Sequence, residues 1–290
     1  MKRFYSVNSE YGKLKALLLV SPHPAIGGLK APVSVLHARK IDYPAALREF
    51  ILTRAVYRKL GIKCHTLNAR ADVQGDARYN IMFTRDTFFM TPRGAVICRP
   101  AVGIRREEIF AVRNFFLRLR VPVISQINAP GTFEGADALW LSPQRVAVGV
   151  GNRTNPAGFV QLKKELALQG VECVSVPAPG GVIHLLGALQ LFAPAAALLR
   201  IESAGKEVRG LLKSCGIKVT ALRENGELSV KQAMNFLVIS AGKIVMPAGC
   251  SFSKRIFERA GISIAAEIPV EQLVNAGGGP ACAAGILSRA

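Results

Sequence analysis

The chain has 290 residues, half of them apolar and a fifth charged, which is enough to bury a substantial core and too apolar for wholesale disorder. Its formal charge of +19 favours acidic partners. The basic residues are nevertheless dispersed among acids, as in IRREE and LKKEL, and aromatics make up only 7%, which argues against a dedicated nucleic-acid module.

The six cysteines, at 64, 98, 173, 215, 250 and 282, form no CxxC pair, and the four histidines are scattered. Neither a disulfide scaffold nor a zinc site has support, and no metal or organic cofactor is expected. MKRFYSVNSEYGK reaches charged residues before any apolar run, so no secretory leader is expected and the location is expected to be cytoplasmic.

In chain order, KALLLVSP reads as a strand and AALREFILTRAVYRKLG as a helix, followed by a strand holding Cys64 and His65. YNIMFTRDTFF, residues 79–89, is an apolar, strand-like run carrying Asn80, Arg85 and Asp86. A hairpin follows: Thr87–Thr91, the turn PRG, then AVICRP. REEIFAVRNFFLRL then has helical spacing.

GTFEGADALWL brings Glu134 and Asp137 to the start of a second hairpin, Ala138–Ser142 and VAVGVG. GNRTNPAGF makes a turn with Arg153, and Thr154 or Asn155 caps the helix FVQLKKELALQG, for which Gly170 is a stop signal. VECVSVP returns to period two. Residues 181–199 are 19 residues of apolar character interrupted by His184, Gln190 and Pro194, so they read as a core strand and a helix start rather than a membrane span. AAALLRIESAG is expected to be that helix. Asn235–Ser240 and IVMPAG form a third hairpin, SFSKRIFERAG a helix, and NAGGGPACAAGILSRA the last stretch.

The hairpin–helix–strand unit therefore recurs every 40–60 residues or so. Such a unit cannot bury its own sheet face, so neighbours must share a core, and residues 1–290 are expected to form one integrated domain. No GxGxxG follows an early strand, which disfavours a dinucleotide fold.

Several residues allow two readings. Asp86 is either an edge ion-pair partner or the carboxylate for a cationic substrate. Glu134 and Asp137 are either solvated loop acids or catalytic ones, and His184 is a satisfied core histidine or a working imidazole. Arg153 either belongs to a large basic set or binds a carboxylate bidentately. Cys282, behind three glycines, is a thiol at a close-packed turn or a nucleophile. Taken together, a thiol, an imidazole and several carboxylates near strand ends suit attack on a positively charged, planar carbon.

FTRDTFFMTPRGAVICRP, GIRREE, FEGADALWL, GNRTNPAGF, IHLLG, NFLVI…IVMPAG and AGGGPACAAGILSR occur in the order found in the guanidino-group-modifying superfamily, which contains dimethylarginine dimethylaminohydrolases, arginine deiminases and amidinotransferases. The chain resembles that superfamily over residues 79–290. The resemblance implies a five-bladed α/β-propeller (pentein) of ββαβ-like repeats. It implies Cys282 as nucleophile, His184 as general acid/base and Glu134 as the acid paired with it. Asp86 would grip the guanidinium and Asn80 would read the α-amino side. Arg153 and one of Arg105 or Arg106 would meet the substrate's carboxylate end, with Asp137 also at the substrate site.

There are three departures: Ala136 replaces a glycine of the usual EGGD, Leu186 stands where deiminases carry aspartate, and the chain is shorter than typical bacterial deiminases. The implied activity is hydrolysis of arginine or an N-methylated arginine to a ureido product such as citrulline plus ammonia or a methylamine. Amidino transfer to an amine is the alternative, and a non-catalytic basic nucleic-acid binder is a further one. The partner expected is a small guanidino substrate, with no specific nucleic acid, no membrane and a homo-oligomeric state.

Overall fold

The computed structural model describes residues 4–290. Strand β1 (Leu14–Val20) is buried except at Lys15, and the helix Tyr43–Lys59 leads from it to β2 (Lys63–Leu67). Asp42 caps that helix by accepting from the Ala45 amide at 3.0 Å, and Pro44 occupies the first turn, where no amide donor is needed. β2 lies parallel to β1.

The same unit returns four times. β3 (Phe88–Met90) pairs antiparallel with β4 (Ala95–Ile97), and the helix Glu108–Leu119 carries the chain to β5 (Val123–Gln126), parallel to β4. Next come β6 (Ala138–Ser142), β7 (Arg145–Val150), the helix Pro156–Ala167 and β8 (Glu172–Pro177). β9 (Leu189–Ala193), β10 (Ala196–Arg200), the helix Lys206–Ser214 and β11 (Lys218–Leu222) make the fourth. β12 (Leu237–Ser240), β13 (Lys243–Pro247), the helix Ser251–Arg259 and β14 (Ser263–Ile268) make the fifth. β15 (Gly285–Arg289) pairs antiparallel with β1, so the first sheet has the order β15-β1-β2.

The expected ββαβ-like repeats are therefore present, but the expected five-bladed propeller (pentein) is corrected. The strands form five separate three-stranded sheets, and no sheet closes into a propeller or barrel. The physical reason is that hairpin and helix signals are local. They specify each unit, whereas closure is a relation between units that a hydrophobic period does not encode.

Two further readings change. AAALLRIESAG is not a helix: Ala195, at φ 53°, closes a tight turn and Ala196–Arg200 is strand β10. Ala197, Leu198 and Leu199 are all fully buried, so this strand lacks the alternation that marks a half-exposed one, and burial on both faces overrides alanine's helix preference. YNIMFTRDTFF is not a continuous strand. It passes through the 3₁₀ turns Gly75–Tyr79 and Thr84–Asp86 before β3 begins.

The largest apolar cluster draws on β1, β3, β4, β6, β7 and β15, with Trp140 stacked on Phe89 at a centroid distance of 5.6 Å. Separate clusters lie under β9–β10 and β12–β13. Residues 181–199 fold as a loop, one helical turn and most of the β9–β10 hairpin; among the described residues no helix is long and apolar enough to cross a membrane.

Candidate active site

In every unit the chain turns sharply just before its first, buried strand, and each turn carries polar side chains. Thr84–Asp86 precedes β3, and Glu134 with Gly135–Asp137 precedes β6. His184 starts the helical turn Leu185–Ala188 that runs into β9. Asn235 stands two residues before β12, and Cys282 three before β15. Asp86, His184, Asn235 and Cys282 line one cavity of about 230 Å³, and Glu134 lies fully buried behind His184.

The acidic wall is held by charge. His184 Nε2 lies 2.6 Å from Glu134 Oε2, and its Nδ1 lies 3.8 Å from Asp86 Oδ1. Arg105 donates to Asp86 Oδ2 at 2.7 Å and clasps Glu108 through two bonds of 2.8 and 2.9 Å. Arg153 donates to Glu134 Oε1 at 3.3 Å, and the Ala101 amide donates to the same oxygen at 3.2 Å. Asp86 Oδ1 is buried without a hydrogen-bond partner among the described residues. A buried carboxylate oxygen left open is costly unless a donor comes to it.

These contacts set the protonation states. Burial alone would lower the His184 pKa, but Asp86, Asp137 and Glu134 outweigh it and push the imidazole up to about 9. Burial works against the Glu134 carboxylate, yet its bond to His184 and the charges of His184, Arg105 and Arg153 bring it well below the usual range. Burial pushes Glu108 up to about 7 and Asp137 up to about 6 against the pull of their partners. The surrounding carboxylates thus favour the charged form of the His184 imidazole.

The thiol wall is held by backbone shape. Gly277 adopts φ 99°, a conformation open to glycine. A Cβ on Gly278 would overlap the Phe83 ring, and one on Gly279 would stand 2.8 Å from Asn235. The three glycines thus let the turn press against Phe83 and Asn235. Asn235 Oδ1 accepts from the amides of Ala281 and Cys282 at 3.0 and 3.1 Å, and its Nδ2 donates to Cys282 Sγ at 2.9 Å. Burial, then the charge of Asp86, pushes the Cys282 thiol up to about 11, with the Asn235 donor pulling the other way.

The other residues singled out in the sequence divide. Asn80, Arg105 and Arg153 line the cavity, Asn80 donating to the Val35 carbonyl at 2.8 Å. Arg106 is exposed and donates to the Ala101 carbonyl at 3.2 Å, outside the cavity wall. Asp137 accepts from the Thr154 hydroxyl at 2.7 Å and the Leu185 amide at 3.1 Å, which fixes the turn beneath His184. Ala136 and Leu186, two of the departures noted above, both stand in the wall.

Sequence reasoning missed three participants. Asn235 was legible as the residue leading into a hairpin strand, the position that Asp86 holds in its own unit. Glu108 carried no signal beyond the mixed charges of a helix start. Arg200, which lines the cavity while Glu224 grips it through two bonds of 2.6 Å, ends a strand that looked helical. Asp86, Glu134 and His184 place potential ligand atoms within 4.8 Å of one another, so they have the spacing of a metal site, but Arg105 and Arg153 already engage both carboxylates.

A family model for arginine deiminase matches residues 51–185. A dimethylarginine dimethylaminohydrolase of Streptomyces coelicolor is 29% identical over 60% of this chain and 64% of its own length. The chain thus matches less than two thirds of that curated relative. Among solved structures, a DDAH of Pseudomonas aeruginosa determined with citrulline superposes with a TM-score of 0.75 at 22% identity, covering 94% of this chain and 98% of that one. An inosamine-phosphate amidinotransferase of Streptomyces griseus gives 0.78 at 14% identity, covering 98% and 97%. The chain is thus similar in sequence to dimethylarginine dimethylaminohydrolases and arginine deiminases, and it shares its fold with those structures and with amidinotransferases.

Proposed function

We propose that the protein is a cysteine-dependent hydrolase of the guanidinium group of arginine or an N-methylated arginine, with residues 1–290 acting as one catalytic domain. The observation that carries this reading is the open Asp86 Oδ1, buried in the wall of a cavity that Cys282 and His184 also line. A guanidinium brings donors to that oxygen, and its positive charge suits a wall in which Asp86, Glu108, Glu134 and Asp137 face two arginines and one imidazole. Asn80 and Arg153 hold the amino-acid end of the substrate.

Without ligand the thiol and the imidazolium both keep their protons, since their pKa values are pushed up to about 11 and about 9. Binding a cation beside Cys282 lowers the thiol pKa, so the nucleophile is activated by the substrate itself. The thiolate attacks the guanidinium carbon. The bond to the departing nitrogen breaks as His184 donates its proton, and ammonia or a methylamine leaves. His184 then takes a proton from water as the oxygen attacks the thiouronium carbon. The C–S bond breaks, and a ureido product such as citrulline is released with the thiolate restored. Glu134 holds the imidazole in place and favours its charged form.

A panel of guanidino compounds, assayed for ureido product and for ammonia or methylamine, tests the reading. Cys282→Ala is expected to lower turnover by about 10³-fold or more. Unchanged turnover in that variant would end the proposal. Because amidino transfer begins with the same thiolate attack but expels the substrate's alkylamine nitrogen in place of ammonia, an amine acceptor is included; an amidino-acceptor product without citrulline would replace hydrolysis with transfer.

A further inference from the structure

The charge network and the glycine turn leave one residue of the cavity wall unexplained. Gln232 lines the cavity together with Asn235 and Cys282, and its backbone has a φ of 52°, in the left-handed region. For a residue with a Cβ that conformation carries a steric cost which glycine escapes. The bend is fixed by its surroundings. The Ala233 amide donates to the Glu227 carbonyl and the Asn235 amide to the Gln232 carbonyl, both at 2.8 Å, and Ala233 and Met234 are buried. Glycine would make this turn with less strain, so what the position keeps by having glutamine is the side chain. Backbone strain of this kind gathers where the placement of a side chain is used.

Asn235 shows the use. Its Oδ1 accepts from the Ala281 and Cys282 amides at 3.0 and 3.1 Å, which settles which end of the side-chain amide is oxygen and which is nitrogen. Nδ2 then has two hydrogens to place. Gln232 Oε1 takes one at 3.1 Å, and Cys282 Sγ takes the other at 2.9 Å. Both hydrogens lie in the plane of the amide, so holding the first on Gln232 aims the second at the sulfur. Gln232 is uncharged and has no hydrogen bond of its own to the sulfur among the described residues, so its influence runs through Asn235.

We propose that Gln232 is a positioning residue for the thiol: by accepting one Asn235 N–H it keeps the other on Cys282 Sγ, and the strained backbone is retained for that contact. The inference rests on the reading of Cys282 as the nucleophile, but it concerns the thiol before any substrate binds.

The test is alkylation of the full chain by iodoacetamide across a pH series, with the Cys282 peptide quantified by mass spectrometry, alongside thermal melting. Gln232→Met keeps the length and bulk of the side chain but replaces the amide acceptor with a weak one. It is expected to slow alkylation at neutral pH by about 3–10-fold and to move the pH profile upward, because the thiolate loses a well-aimed donor. Gln232→Gly loses the same contact and also relieves the turn. It is expected to slow alkylation to the same extent while melting above Gln232→Met, so that reactivity follows the contact and stability follows the backbone. Wild-type profiles in both variants would overturn the proposal, as would slowing in the methionine variant alone, which would mark a distorted turn rather than a lost acceptor. Iodoacetamide needs no guanidino substrate, so a failure here is distinct from a failure of the turnover panel.

Discussion

The two walls of the candidate cavity are built on different physics. The acidic wall is a charge network: Arg105 bridges Asp86 and Glu108, while His184 and Arg153 share Glu134. The thiol wall holds Cys282 by a glycine turn and a single amide side chain, Asn235, that bonds both the backbone and the sulfur. Substitutions in the first wall should therefore alter how activity depends on pH, and substitutions in the second should alter placement and stability.

Glu134→Gln gives the largest expected separation. It keeps the side-chain shape but removes the charge that faces the His184 imidazole at 2.6 Å. Turnover should fall by about 10²–10⁴-fold, and the alkaline limb of kcat/KM should move down from about 9, because the imidazole loses one of the charges that raise it. Stability should follow the same group. A histidine with a raised folded pKa stabilises the fold fully below its unfolded value of about 6.5. That contribution disappears as pH rises through about 9. The wild-type advantage over the variant should accordingly be greatest in mildly acidic buffer and shrink above pH 9, as denaturant melts at several pH values would show. An unmoved alkaline limb would mean that the pair does not set the imidazole's charge.

The contrast between the walls also explains what could be read from the sequence. Cys282, His184, Glu134 and Asp86 lie in short motifs whose order along the chain carried the resemblance, and each sits just ahead of a buried strand. Asn235 occupies such a position too, at the head of a hairpin strand, but its contacts are with the turn at 277–282, which is remote in sequence, so the local pattern marks its place and not its partner. Arg105 and Arg106 are neighbours of the same type, and only the turn Gly103–Arg105 and the helix after it decide that Arg105 faces inward and Arg106 outward. Residues 196–200 misled for the opposite reason. Their alanines and leucines are all apolar, and a strand covered on both faces shows no period.

Asn235→Ala should cost less, about 10–100-fold in kcat/KM. It removes the donor to Sγ and the acceptor for the Ala281 and Cys282 amides. Asn235→Asp separates the two roles, since it keeps an acceptor for the turn but places a negative charge beside the sulfur. The thiol, already pushed up to about 11, should rise further in the aspartate variant, and alkylation of Cys282 at neutral pH should slow. If both variants alkylate at the wild-type rate, Asn235 does not position the thiol.

Gly278→Ala sharpens the comparison at the smallest scale, because it changes no charge. The new methyl meets the Phe83 ring, which is buried at the cavity edge and packed with Met82, Ile26 and Ala276. That ring has little room to turn aside, so the turn must shift or the neighbouring side chains must leave their packing, at a cost of about 1–3 kcal/mol. The melting midpoint should fall by several degrees while the alkaline limb assigned to His184 stays in place, since no group on the acidic wall is altered. A variant that moved the limb instead would show that the turn and the charge network are coupled, and the two walls would then have to be treated as one.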